Sequence, residues 1–97
     1  MNHALSLASR VRIPESIASH DLHGEMLVLN PITGACVSLD PIGTKIWQLL
    51  QEHHSLHKVL NALVQEYAVT EAQGEHDLVT FVARMRDQGY LETCAEE

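Results

Sequence analysis

The stretch ACVSLDPIGTKIWQLL, residues 35–50, changes its period halfway along. From Ala35 to Leu39 small and apolar residues alternate as in a strand with one covered face, whereas Ile42, Ile46, Leu49 and Leu50 recur as one stripe of a helix. Asp40 and Pro41 stand at the switch. Asp40 is suited to cap a helix by accepting backbone N–H groups that the first turn leaves open. Pro41 suits the first helical position, where its missing donor has no role. A short strand therefore runs directly into a helix.

Upstream of that strand, Asn30, Pro31 and Gly34 in NPITG supply turn chemistry, so residues 35–39 fold back on the run Glu25 to Leu29. Met26, Leu27, Val28 and Leu29 are apolar on both faces, which marks a central strand. In DLHGE, Gly24 provides the positive φ of a tight hairpin and makes Ser16 to Leu22 the other neighbour. Still earlier, Arg10, Val11, Arg12 and Ile13 alternate well enough to form a short strand if a partner is near, and Pro14 ends it. Downstream, the first helix extends to about Glu52. A second begins near Ser55, another capping residue, and repeats Leu56, Val59, Leu60, Leu63, Val64 and Tyr67 on one stripe. After the polar segment VTEAQGE, a third helix from about His76 carries Leu78, Phe81, Val82 and Met85 inward and stops at Gly89. Val79 adds an apolar position on the flank of that helix, beside Val82, Ala83 and Arg86. The pattern predicts an α+β domain of winged-helix type, a three-stranded antiparallel β-meander followed by three α-helices. Its expected extent is residues 16–92, with an extension at 1–15, flexible or a short extra strand, and an acidic tail at 93–97.

A chain of 97 residues holds one core and buries about 60–65% of its unfolded surface. Thirteen acidic side chains against 6 Lys and Arg give a formal charge of -7, which argues against nucleic acid and anionic lipid as partners. Cys36 and Cys94 lie far apart without a CxxC, as expected of reduced thiols in the cytoplasm. The sequence shows no secretory leader and no run of about 18 apolar residues, so neither export nor membrane spanning is expected. His53 and His57 have the spacing of a metal pair, but they straddle a helix break and no carboxylate or thiol completes a set. No nucleophile elbow or phosphate loop is present, and the acids are scattered, so the chain is read as non-catalytic, without metal or cofactor. Cys36, with no adjacent cation, reads as a small packing residue. Gly43 reads as a site of close packing.

In a meander the third strand is an edge. Residues 35–39 carry no charge and no proline, hence none of the devices that blunt an edge against further pairing. With the third helix alongside, the edge frames a groove that an extended peptide enters as a fourth strand.

VLNPITGACVSLDPIGTKIWQLL, followed by SLHKVLNALVQEY and DLVTFVARMRDQGYL, resembles the PqqD-like family. These are the peptide-recognition domains of ribosomally synthesised, post-translationally modified peptide (RiPP) pathways. The likeness spans about Ile17 to Leu91, and NPITG with LDPIGTKIW is similar to the stand-alone leader-binding proteins of lasso-peptide biosynthesis. The resemblance implies that a precursor's leader adds to the third strand, at Ala35, Cys36, Val37, Ser38 and Leu39, with Val79, Val82, Ala83 and Arg86 as the helix wall. Which alternate strand residues face the cleft stays open. Two positions depart from the family pattern. Ala35, Cys36 and Val37 stand where aromatic residues are frequent, and His53 and His54 stand where a glycine is frequent near the end of the first helix. The implied role is a non-catalytic adaptor that presents the leader to a maturation enzyme, either a transglutaminase-like cysteine protease or, as a peptide chaperone, a radical SAM enzyme. The other class is a winged-helix DNA-binding regulator, but Lys58, Arg84 and Arg86 supply little positive charge for a recognition helix. A bare edge also admits a homodimer.

Overall fold

A computed structural model describes residues 7–67 and 69–95. Strand β1 (Ser9–Arg12) is followed by β2 (Ala18–Leu22), β3 (Glu25–Asn30) and β4 (Ala35–Leu39). Helices α1 (Pro41–Glu52), α2 (Leu56–Glu66) and α3 (Glu71–Asp87) come next, and β5 (Glu92–Ala95) ends the described chain. The expected meander is present as an antiparallel sheet of order β2-β3-β4. The β2–β3 hairpin turns on His23 and Gly24, with φ of 60° and 90°, and Asp21 Oδ1 accepts the Gly24 N–H at 2.8 Å. Two consecutive positive φ values define the two-residue turn whose twist matches that of paired strands.

The strand-to-helix junction is built as its residues dictate. Asp40 Oδ1 accepts the Gly43 N–H at 2.7 Å and Pro41 opens α1. Thr70 caps α3 through the Gln73 N–H at 3.1 Å, while Ser55 at the start of α2 makes no side-chain cap bond. Val28, Leu50, Leu56, Val59, Leu78, Val82 and Met85 lose all exposure in a core shared by the sheet and the three helices. Each such side chain stabilises the fold by about 1.5–3 kcal/mol relative to an exposed one.

Three features depart from the sequence reading. The third helix starts at Glu71 rather than near His76, so most of VTEAQGE is helical. Gly74 is the reason: a Cβ there would stand 3.1 Å from Leu60 Cδ1, so glycine lets the first turns of α3 lie against α2. Second, Ser9–Arg12 finds a partner in Glu92–Ala95, forming a two-stranded antiparallel ribbon with Arg12 Nη1 on Glu92 Oε1 at 2.7 Å. Residues 93–95, expected within a tail, are thus strand. Third, Cys36 is not a packing residue but exposed, because alternation turns it to the outer face of the sheet. Among the described residues no helix is long and apolar enough to cross a membrane, and no group of His, Cys, Asp or Glu is arranged to hold a metal ion.

Candidate functional site

β4 lies at one side of its sheet, and among the described residues no strand pairs with its outer edge. Its side chains alternate as the sequence does. Ala35 and Val37 are half-buried against the core and Leu39 is buried, while Cys36 and Ser38 are exposed on the opposite face.

The main-chain groups alternate as well, and a hydroxyl reveals their phase. Met26 pairs with Leu39 across the β3–β4 ladder. The Met26 N–H donates to Thr44 Oγ1 at 2.8 Å, and the Thr44 hydroxyl donates to the Leu39 carbonyl at 3.2 Å, so Thr44 is inserted between the two strands at the end of the ladder. Met26 and Leu39 therefore direct their N–H and C=O groups toward one another. The two-residue hairpin agrees, since its flanking pair, Leu22 and Glu25, is of the hydrogen-bonded kind, which turns Glu25 toward β2 and Met26 toward β4. In an antiparallel strand successive residues point their main-chain groups to opposite sides. Ala35, Val37 and Leu39 thus serve the ladder, and Cys36 and Ser38 present their N–H and C=O groups to the open edge.

α3 runs alongside. At its far end Asn30 Nδ2 donates to the Gly89 carbonyl at 3.0 Å, tying the β3–β4 turn to the end of the helix. At the other end Gly43 mediates contact: a Cβ there would meet Phe81 Cε1 at 3.3 Å and Leu39 Cβ at 3.4 Å, the close packing the sequence suggests. A cavity of about 180 Å³ opens at this end, between Asp40, Ile42 and Ile46 of the α1 start and His76, Asp77, Thr80, Phe81 and Arg84 of α3. Asp40 is engaged as a helix cap and Asp77 accepts from Gln73 Nε2 at 2.9 Å. Arg84 has no ion-pair partner among the described residues. Burial pushes the Tyr90 phenol above its ordinary pKa, with a further contribution from the nearby Cys36 charge.

The structure brings Ala35, Cys36, Val37, Ser38 and Leu39 together on β4, the outer strand of the sheet, and places the four residues of the expected helix wall in different surroundings along α3. Val82 is wholly buried in the core. Val79 lines a shallow groove formed by α3 residues alone, with Ala72, Glu75, His76 and Thr80. At about 100° per residue, Val79 and Arg86 lie roughly 180–200° around the helix from Asp77. Asp77 and Arg84 border the α1 start. Ala83 is half-buried toward the far flank, and Arg86 Nε pairs with Asp87 at 3.2 Å. The α3 residues that border the cavity at the start of α1 are His76, Asp77, Thr80, Phe81 and Arg84. The signal for it was the Phe81 stripe itself, whose neighbours one turn away are Asp77 and Arg84.

The sequence profile of the family described as coenzyme PQQ synthesis protein D (PqqD) matches residues 25–91. No curated protein matches the chain. Among solved structures, TbiB1 in complex with the TbiA(beta) leader peptide is 30% identical, with a TM-score of 0.79 over 84% of this chain and 94% of that one. A lasso peptide synthetase B1 complexed with the leader peptide shares the fold at 24% identity, with a TM-score of 0.76 over 86% of this chain and 98% of that one.

Proposed function

The chain belongs to the PqqD family, and from that premise we propose that it is a non-catalytic adaptor that binds the leader segment of a ribosomally made precursor peptide as an added strand on β4. The observation that carries this reading is the open edge, where Cys36 and Ser38 hold main-chain donors and acceptors outward beside the α3 wall. An extended guest satisfies those groups by strand addition and gains specificity from side chains that enter the cleft toward Phe81 and Arg84. The likeness to a leader-bound B1 protein supports a lasso-type pathway, in which the client is a separate leader protease of transglutaminase-like fold. The family description supports a second client, a radical SAM enzyme of quinone-cofactor synthesis.

The test is fluorescence anisotropy with the labelled leader of the precursor encoded beside this chain's gene. Saturable binding is expected, with a large loss when the apolar residues of the leader are changed to alanine. Equal binding of the two peptides removes the proposal. A gel shift that survives nonspecific competitor DNA at moderate salt restores the regulator.

A further inference from the structure

The cavity beside Arg84 adjoins a second one. Ile42 and Asp77 line it on one side and, on the other, line a second pocket of about 160 Å³ at the corner where α1 begins, α2 ends and α3 begins. Leu63, Tyr67, Val69 and Gly74 complete that second pocket. Its floor is the main chain at Gly74, where α3 lies so close to α2 that a Cβ would stand 3.1 Å from Leu60 Cδ1. The lining is apolar apart from the Tyr67 phenol and Asp77, whose carboxylate is already engaged by Gln73. Ile42 is 42% exposed on the rim between the two pockets. A single exposed isoleucine is ordinary, but one shared by two adjoining hollows is part of a continuous groove. An apolar cavity of about 150 Å³ admits a benzene ring, so the corner pocket has room for one aliphatic or aromatic side chain.

A strand added to β4 has one end that leaves past Leu39, whichever direction it runs. The protein surface beyond Leu39 is Asp40 and the first turn of α1, with Ile42 next. We propose that the leader's recognition segment is longer than its paired strand, and that an apolar side chain beyond the pairing is anchored in the pocket of Leu63, Tyr67, Val69 and Gly74. This rests on the leader-binding reading above and extends it by a second anchor point. The occupant is the leader because Asp40, which directly follows the last residue of β4, lines the first cavity, and that cavity shares Ile42 and Asp77 with this pocket.

The test is a double-mutant cycle. Single cysteines walked along the leader, in a Cys94→Ser background under mild oxidation, form a disulfide only where they stand opposite Cys36, which fixes the register and so the leader residues paired with 35–39. Alanine is then scanned through the leader against the wild type, Val69→Asp and the nearly isosteric Val69→Thr, with melting curves to establish folding. One apolar leader residue outside the paired segment is expected to lose roughly tenfold in affinity on change to alanine with the wild type. With Val69→Asp that loss falls below about twofold, since the two changes remove the same contact. If Val69→Asp does not fold, Val69→Thr carries the cycle with a smaller but same-signed coupling. The proposal is overturned if every sensitive leader residue lies within the segment that this register pairs with residues 35–39. It is equally overturned if folded Val69 variants bind the full leader as the wild type does, including when they lose self-association or client-enzyme binding instead. Failure of the underlying reading looks different: the wild type then shows no saturable binding of the leader.

Discussion

Replacing Cys36 or Ser38 with proline tests the phase of the open edge. Both residues direct their N–H groups away from β3, a phase set by the Thr44 hydroxyl between Met26 and Leu39. Proline at either position removes a donor that the fold itself does not use, so the stability cost is confined to ring sterics on an edge strand, where proline is tolerated. The bound state loses one main-chain hydrogen bond, about 0.5–1.5 kcal/mol, or roughly a two- to twelvefold weaker Kd. The ring also occupies the space where a guest strand must approach to about 4.8 Å, so the upper end of that range or beyond is expected. Val37→Pro is the control. Its N–H faces β3, opposite Val28, so the change breaks the internal ladder and lowers Tm. The assay is leader anisotropy paired with a thermal melt of each variant. If Val37→Pro is the stable variant with impaired binding, the assigned phase is wrong. If Cys36→Pro and Ser38→Pro both bind normally, the edge is not the docking site.

Thr44→Val leaves the buried Met26 N–H without its acceptor and should cost about 1–3 kcal/mol, seen as a Tm lower by at least several degrees; an unchanged melt refutes the bridging role. Arg84→Ala is expected to alter leader affinity more than twofold and Arg86→Ala less, because only Arg84 stands on the wall beside the α1 start; the reverse order would return the site to the far flank. The hydrogen bond to Glu66, at 2.7 Å, raises the Lys45 pKa above 10.5. A raised folded-state value means that this pair's stabilisation is complete below the ordinary lysine value and fades as pH rises through the folded one. The stability difference between wild type and Glu66→Gln should therefore shrink in alkaline melts, and a difference that grows with pH would contradict the assignment.

Much of this architecture was readable from short-range chemistry. The change of period at Asp40-Pro41, the turn residues around Gly24 and Gly34, and the stripes of α1 and α2 each depend on neighbours within a few positions. The β1–β5 ribbon was not readable, because Arg12 and Glu92 meet across 80 positions and neither segment carries a local sign of its partner. The start of α3 was hidden by a glycine whose purpose, room for Leu60, exists only once two helices are packed. The strand side of the candidate site followed from the absence of charge and proline in residues 35–39. The helix side is harder to read, since α3 offers apolar residues on two flanks, and the contact of Phe81 with Gly43 that orients the helix exists only once α1 and α3 are packed.

The ribbon has a consequence for how this domain can be rebuilt. Ser9 stands opposite Ala95, so the two ends of the described chain lie side by side. A short linker between them, with the chain cut open at the exposed His23-Gly24 turn, yields a circular permutant that keeps β3, β4 and all three helices contiguous. In such a permutant β2 becomes the last segment of the polypeptide, and a fusion partner can be appended there, across the sheet from the edge that is left open for a guest.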